Sequence, residues 1–169
     1  PAMGGAGGVR TMRRELQMRR SFVAAPLLGA ALVLLAPPAW AGDNFVAPMS
    51  GDEEVGPVDT NARGVATFKL REEGLAFTVN VASIEDVIFA HIHCAAVGVN
   101  GPIGVTLFHG GPVDVNGTLA EGTITAPDSG NACGWSDLDA VVAALESGDA
   151  YVNVHTTAHP AGEIRGQVK

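Results

Sequence analysis

From about residue 45 onward, apolar and polar residues alternate with period two, the spacing of strands whose successive side chains point to opposite faces. In residues 65–70, Ala66, Phe68 and Leu70 share one face; in the next run, Leu75, Phe77, Val79 and Val81 do the same. Glu72-Glu73-Gly74 between them reads as a connecting turn. Residues 105–108 and 119–125 supply two further strand candidates. Asn100-Gly101 and Asn116-Gly117 read as turns, because Asn and Gly tolerate positive φ. One stretch departs from this rhythm. Leu138, Val141, Val142 and Leu145 recur at helical spacing, Ser136 or Asp137 can cap the start, and Gly148 stops the run. The pattern predicts an all-β fold: an antiparallel β-sandwich or partly closed barrel of about eight strands, with one short helix over about 136–147. No internal repeat is visible, so a single unit is expected.

Two of the strands carry the candidate chemistry. In Ala90-His91-Ile92-His93-Cys94, alternation sends Ile92 and Cys94 to one side and both histidines to the other. In Tyr151-Val152-Asn153-Val154-His155-Thr156, the valines face one side, and Tyr151, Asn153 and His155 the other. A third segment, Gly162-Glu163-Ile164-Arg165-Gly166-Gln167, adds Glu163 and Arg165. His91 and His93, two apart on a strand, can share a metal ion, and His155 is the natural third ligand if its strand lies alongside. Copper and zinc both accept neutral imidazole. Glu163 could orient an imidazole or ligate directly, Asn153 and Arg165 belong to the same face, and His159 could be a flexible fourth ligand. The competing reading is a buried polar network, satisfied internally, in which the histidines bond to Asn153, Glu163 or backbone carbonyls and fix strand register. Glu163 and Arg165 could equally form a surface ion pair of little worth. His109, before Gly110-Gly111-Pro112, reads as an ordinary turn residue.

These segments, with Gly98-Val99-Asn100-Gly101-Pro102-Ile103 and an opening made of Phe45, Gly51, Glu54-Val55, Pro57 and Gly64-Val65-Ala66-Thr67-Phe68, resemble the CHRD (chordin-type) domain. The resemblance runs from about residue 45 to 169. It implies an extracytoplasmic β-rich domain, and it brings no general catalytic activity that can be carried over residue by residue. A looser likeness is to Cu/Zn superoxide dismutases, resting on His91 and His93 alone. The dense bridging-histidine and zinc-loop segment of those enzymes is missing between Cys94 and Phe108, which argues against dismutase activity and leaves room for a single copper site.

The N-terminal region reads as a processing segment. Met18-Arg19-Arg20, an apolar run over 22–36 and Pro37-Pro38-Ala39-Trp40-Ala41 make a signal peptide over 18–41, cut before Gly42. A membrane anchor is the rival, but anchors need about 20 apolar residues, and the uncharged stretch 22–41 contains Pro26, Pro37 and Pro38 and has a shorter apolar core. Residues 1–17, glycine-rich and patternless, are expected to precede the true start at Met18. The remainder, 42–169, is expected to be the β domain, secreted or periplasmic, with no membrane span after cleavage. It keeps five of the ten basic residues and seventeen of the eighteen acidic ones, a net charge near −12. Such a charge argues against nucleic acid and anionic membrane as partners, since both demand basic patches.

Two cysteines remain, Cys94 and Cys133. In an oxidising compartment they are expected to pair, tying the histidine strand to the loop before the helix. A thiolate ligand beside His93 would require Cys94 to turn to the opposite face. No Gly-x-Ser-x-Gly elbow and no phosphate loop occurs. Asn116-Gly117-Thr118 is formally a glycosylation sequon, read here as a hairpin turn. Two functions survive: a non-catalytic exported binding or structural module with protein partners at the cell surface, and a copper or zinc protein in metal handling or superoxide-type redox chemistry. The sequence favours the first as the broader reading.

Overall fold

The computed structural model describes residues 44–169. The expected signal peptide and the segment before it lie outside the described residues. Six strands form: β1 (Asn44–Ser50), β2 (Arg63–Arg71), β3 (Gly74–Cys94), β4 (Ile103–Ile124), β5 (Ala150–Thr156) and β6 (Ile164–Gln167). One helix, α1 (Leu138–Ser147), precedes β5. All pairings are antiparallel, in the order β2-β1-β6-β5-β3-β4, and β2 also pairs with β3. That last pairing closes five strands into a barrel, with β4 outside it on β3. The fold is therefore β-rich with one short helix, as expected, but six strands replace the expected eight.

The difference has a physical origin. The two runs at 75–81 and 90–94 are one 21-residue strand, β3, which changes partner along its length. It pairs with β2 as far as Ala82 and with β5 from Val87. Between them Ser83 and Asp86 adopt φ of +55° and +53°, bending the strand from one side of the barrel to the other. Asp86 is held there by its N–H, which donates to Asp114 Oδ1 at 3.0 Å, and by its carbonyl, which accepts from Thr157 N at 3.1 Å.

β4 follows β3 through the bend as a single 22-residue strand with several register shifts. Two sequence-based turns are corrected by it. His109-Gly110-Gly111-Pro112 and Asn116-Gly117 both lie inside β4, at irregularities in its pairing with β3. Proline and consecutive glycines survive there because β4 is the outermost strand, so a missing donor breaks no second ladder. The turn at Glu72-Glu73 forms as read, with Gly74 at φ +138°.

Ala66, Phe68, Leu75, Val79, Ala90, Ile92, Val152, Val154 and Ile164 fill the barrel interior, each at most 2 % exposed. The helix packs Val141, Val142 and Leu145 against this assembly. Its N-cap is Asp137, whose side chain accepts from Ala140 N, and Gly148 closes its end in the left-handed region. Cys94 and Cys133 form the expected disulfide. No helix among the described residues is long and apolar enough to cross a membrane.

Candidate metal centre

Pairing in register builds the site. β5 lies beside the second half of β3 with Phe89 opposite His155, His91 opposite Asn153 and His93 opposite Tyr151. β6 extends two of these rows, placing Arg165 opposite Asn153 and Gln167 opposite Tyr151. Alternation then puts Phe89, His91, His93, Tyr151, Asn153, His155 and Arg165 on the face turned away from the apolar interior. The face is not solvated, however. His91, His93 and His155 are 7–8 % exposed, Asn153 3 %, Glu163 8 % and Arg165 1 %.

Three loops cover it, each through specific bonds. Residues 95–102 supply the Gly101 carbonyl to His93 Nδ1 at 2.9 Å, and Asn100 Oδ1 and the Val99 carbonyl to the Arg165 guanidinium at 3.0 and 2.9 Å. Residues 157–162 supply the Pro160 carbonyl to His155 Nδ1 at 3.1 Å. From the segment before β2, Glu54 Oε1 accepts from Asn153 Nδ2 at 2.6 Å, and Thr60 Oγ1 donates to Glu163 Oε1 at 2.7 Å. The other Glu163 oxygen accepts from Thr156 Oγ1 at 2.7 Å. Neither Glu163 nor Arg165 therefore stands in an exposed ion pair. Both are buried and satisfied by neutral groups. Arg165 also lies 3.5 Å above the Tyr151 ring, and Tyr151 stacks on His93 with centroids 4.8 Å apart.

The three imidazoles form a near-equilateral triangle, with ring centroids 5.6 Å (His91–His93), 5.0 Å (His91–His155) and 6.0 Å (His93–His155) apart. One nitrogen from each lies within 4.8 Å of the other two. Tautomers follow from the bonds. A carbonyl oxygen can only accept, so His93 and His155 carry their proton on Nδ1 and turn a lone pair at Nε2 toward the cluster. His155 Nε2 accepts from His91 Nδ1 at 3.2 Å. His93 Nε2 is buried and has no partner among the described residues. This is the arrangement of metal-ligating histidines, whose second nitrogen is held by a carbonyl. Asn153 Oδ1, on the same face, and Gln167 Oε1 are likewise buried without a partner among the described residues.

Electrostatics keep the cluster neutral. Burial, aided by His155 and His93, pushes His91 down from 6.5 to about 4, with Asp128 opposing. Burial also lowers His93 and His155. The free lone pairs of His93 and His155 are thus available at neutral pH. Glu54 moves the other way, raised by burial from 4.5 to about 7, with Arg165 and Asn153 holding it back.

Not all expected members gather here. His159 is outside the triangle; its backbone N–H bonds Thr156 Oγ1, and its side chain lines a separate cleft with Asp86, Asp114 and Glu163. His109 is exposed and packs tilted against Phe89, ring centroids 4.9 Å apart. Cys94 is in the disulfide and offers no thiolate. Tyr151 lies on the histidine face, as alternation places it. Two participants were given no role from the sequence: Phe89 and Glu54. Phe89 had a signal, since it stands in phase with His91. Glu54 was named only in the opening motif, and nothing local ties it to the asparagine it holds 99 residues away.

Gly162 makes the covering loop possible. At φ +129° it accepts a backbone that side chains resist, and a Cβ there would lie 2.6 Å from Glu54 Oε1 and against the Asn153 amide. Gly162→Ala is expected to cost about 2–3 kcal/mol through strain and displacement of that pair. Urea unfolding of the two proteins measures it, and an unchanged midpoint would mean the loop is free to move.

A family model described as CHRD domain matches residues 45–168. No curated protein and no solved structure matches the chain.

Proposed function

Because the chain belongs to the CHRD domain family, we propose that it is a non-catalytic extracytoplasmic binding module whose ligand is a single transition-metal ion, copper or zinc, held by His91, His93 and His155. The family supports the module at a coarse level, and the disulfide suits an oxidising compartment. The metal reading rests on one observation above the others: the buried, partnerless Nε2 of His93, aimed into a triangle of neutral imidazoles. A lone pair buried without a partner costs roughly 1–3 kcal/mol, a cost that a bound cation removes.

Metal–imidazole bonds of about 2.0–2.1 Å place ligand nitrogens about 3.5 Å apart. His91 Nδ1 and His155 Nε2 are already 3.2 Å apart, and the full set lies within 4.8 Å. Small side-chain rotations suffice. His91 needs only to shift its proton between ring nitrogens to free Nδ1, while Gly101 and Pro160 continue to hold the other two rings.

The test is the metal content of the protein produced by export and dialysed against copper or zinc. About one equivalent should be retained, His93→Gln should weaken binding by about 100-fold, and the triple His→Gln variant should retain none while keeping its β-sheet circular dichroism. Absence of any ion bound more tightly than micromolar would leave the histidines as structural groups and return the search to protein partners.

A further inference from the structure

The charges around the triangle say which ion it takes. We propose that the site selects Cu(I), a monovalent ion, over Zn(II) and Cu(II); this rests on the metal-binding reading above and deepens it.

The donor set carries no negative charge. Among the described residues, the grouping that can hold an ion consists of three histidines and no carboxylate or thiolate. The nearby acids are engaged elsewhere. Glu163 spends both oxygens on Thr60 and Thr156, and Glu54 Oε1 is taken by Asn153. Two fixed charges act on the triangle with opposite signs: the half-buried Asp128, which accepts from Thr106 Oγ1, on His91, and the fully buried Arg165 on His93. Arg165, 1 % exposed, bonds Asn100 Oδ1 and the Val99 carbonyl and lies on Tyr151, which in turn stacks on His93. Its guanidinium, always protonated, has hydrogen bonds only to neutral groups.

A metal ion entering here therefore meets three neutral donors, a buried cation one ring away and little solvent. The cost of burying an ion rises with the square of its charge, so a divalent ion pays about four times what a monovalent one does. Zinc sites offset this with thiolates, carboxylates or a bound water in a fourth position. Three imidazoles roofed by three loops suit an ion content with three neutral ligands. Cu(I) is that ion among those imidazole binds. The consequence is a bound Cu(II)/Cu(I) couple displaced to higher potential, with Arg165 contributing to the displacement.

The experiment compares affinities of the intact protein for Cu(I), under anaerobic conditions with a reductant, and for Zn(II), each against a colorimetric chelator. Cu(I) should bind at least about 1,000-fold more tightly than Zn(II), and the copper couple should lie above that of the aqueous ion. Arg165→Gln should lower the potential, about 59 mV for each tenfold change in the ratio of Cu(II) to Cu(I) affinity. Zinc binding as tightly as Cu(I), or a couple displaced downward, would overturn the selectivity and leave the metal site standing. No binding of either ion would remove both. The wild-type ratio decides even if Arg165→Gln does not fold.

Discussion

Replacing Cys94 and Cys133 together with serine is expected to lower stability by on the order of 4 kcal/mol. The bridge spans 39 residues, which include the covering loop and the whole of β4. In the chain-entropy description, closing a loop of that size in the unfolded state contributes on the order of 4 kcal/mol. For a domain of this size the loss amounts to roughly 10–15 °C in melting temperature. A second effect should accompany it. Cys94 ends β3 one residue after His93 and begins the loop whose Gly101 carbonyl holds the His93 ring. Loosening that anchor should weaken metal binding beyond the global loss of stability. Calorimetry of the double variant measures the first effect and chelator competition well below its melting temperature the second. A melting temperature changed by less than a few degrees would show that the rest of the barrel already restrains these segments.

The histidine face was legible because its information is local. Period two fixes which side of a strand each residue occupies, so His91 and His93 had to fall together, and Asn153 and His155 with each other. That these two strands pair, with Phe89 opposite His155, is a long-range fact which the alternation allows but does not dictate. The helix was legible for a similar reason, since Asp137 and Gly148 punctuate it within its own length. What escaped was continuity. Ser83 to Asp86 and Gly110 to Pro112 carry turn chemistry, yet β3 and β4 run through them because each strand supports the other's bend. A period-two reading treats such punctuation as a break and so counts extra strands.

Burial of the polar face was one of two readings the sequence left open, and what covers the face could not be read from it. Alternation of polar with apolar residues ordinarily marks a solvated side, and here the roof comes from segments 65 residues (Asn100 over Arg165) and 103 residues (Thr60 over Glu163) away in the chain. The consequence for function is large. Exposed histidines of this spacing would titrate near 6.5 and exchange metal freely. Roofed ones stay neutral, and one of them, His93, keeps a buried Nε2 lone pair with no partner among the described residues.

Acid should destabilise the metal-free protein through these same histidines. An unfolded chain protonates them near 6.5, whereas folded His91 resists until about 4, and His93 and His155 are also lowered. Between those values the unfolded state binds more protons, so stability rises with pH there. The contribution is fully present above 6.5 and is lost as pH falls toward 4. Glu54 has the opposite sign. Folded, it keeps its proton up to about 7; unfolded, it loses it above 4.5. It therefore adds stability as pH falls from 7 to 4.5. Three imidazoles against one carboxyl should leave a net loss on acidification, visible as a falling urea midpoint between pH 7 and 4 after chelator treatment. Two variants separate the terms. Glu54→Gln keeps an acceptor for Asn153 and removes the opposing proton, so its midpoint should fall more steeply over the same range. The triple His→Gln variant removes the imidazole terms, so its midpoint should hold or rise. A wild-type midpoint that climbs on acidification, with the same slope in the triple variant, would mean that the folded protein protonates these rings as readily as the unfolded chain does. The roof over the site would then be open to water.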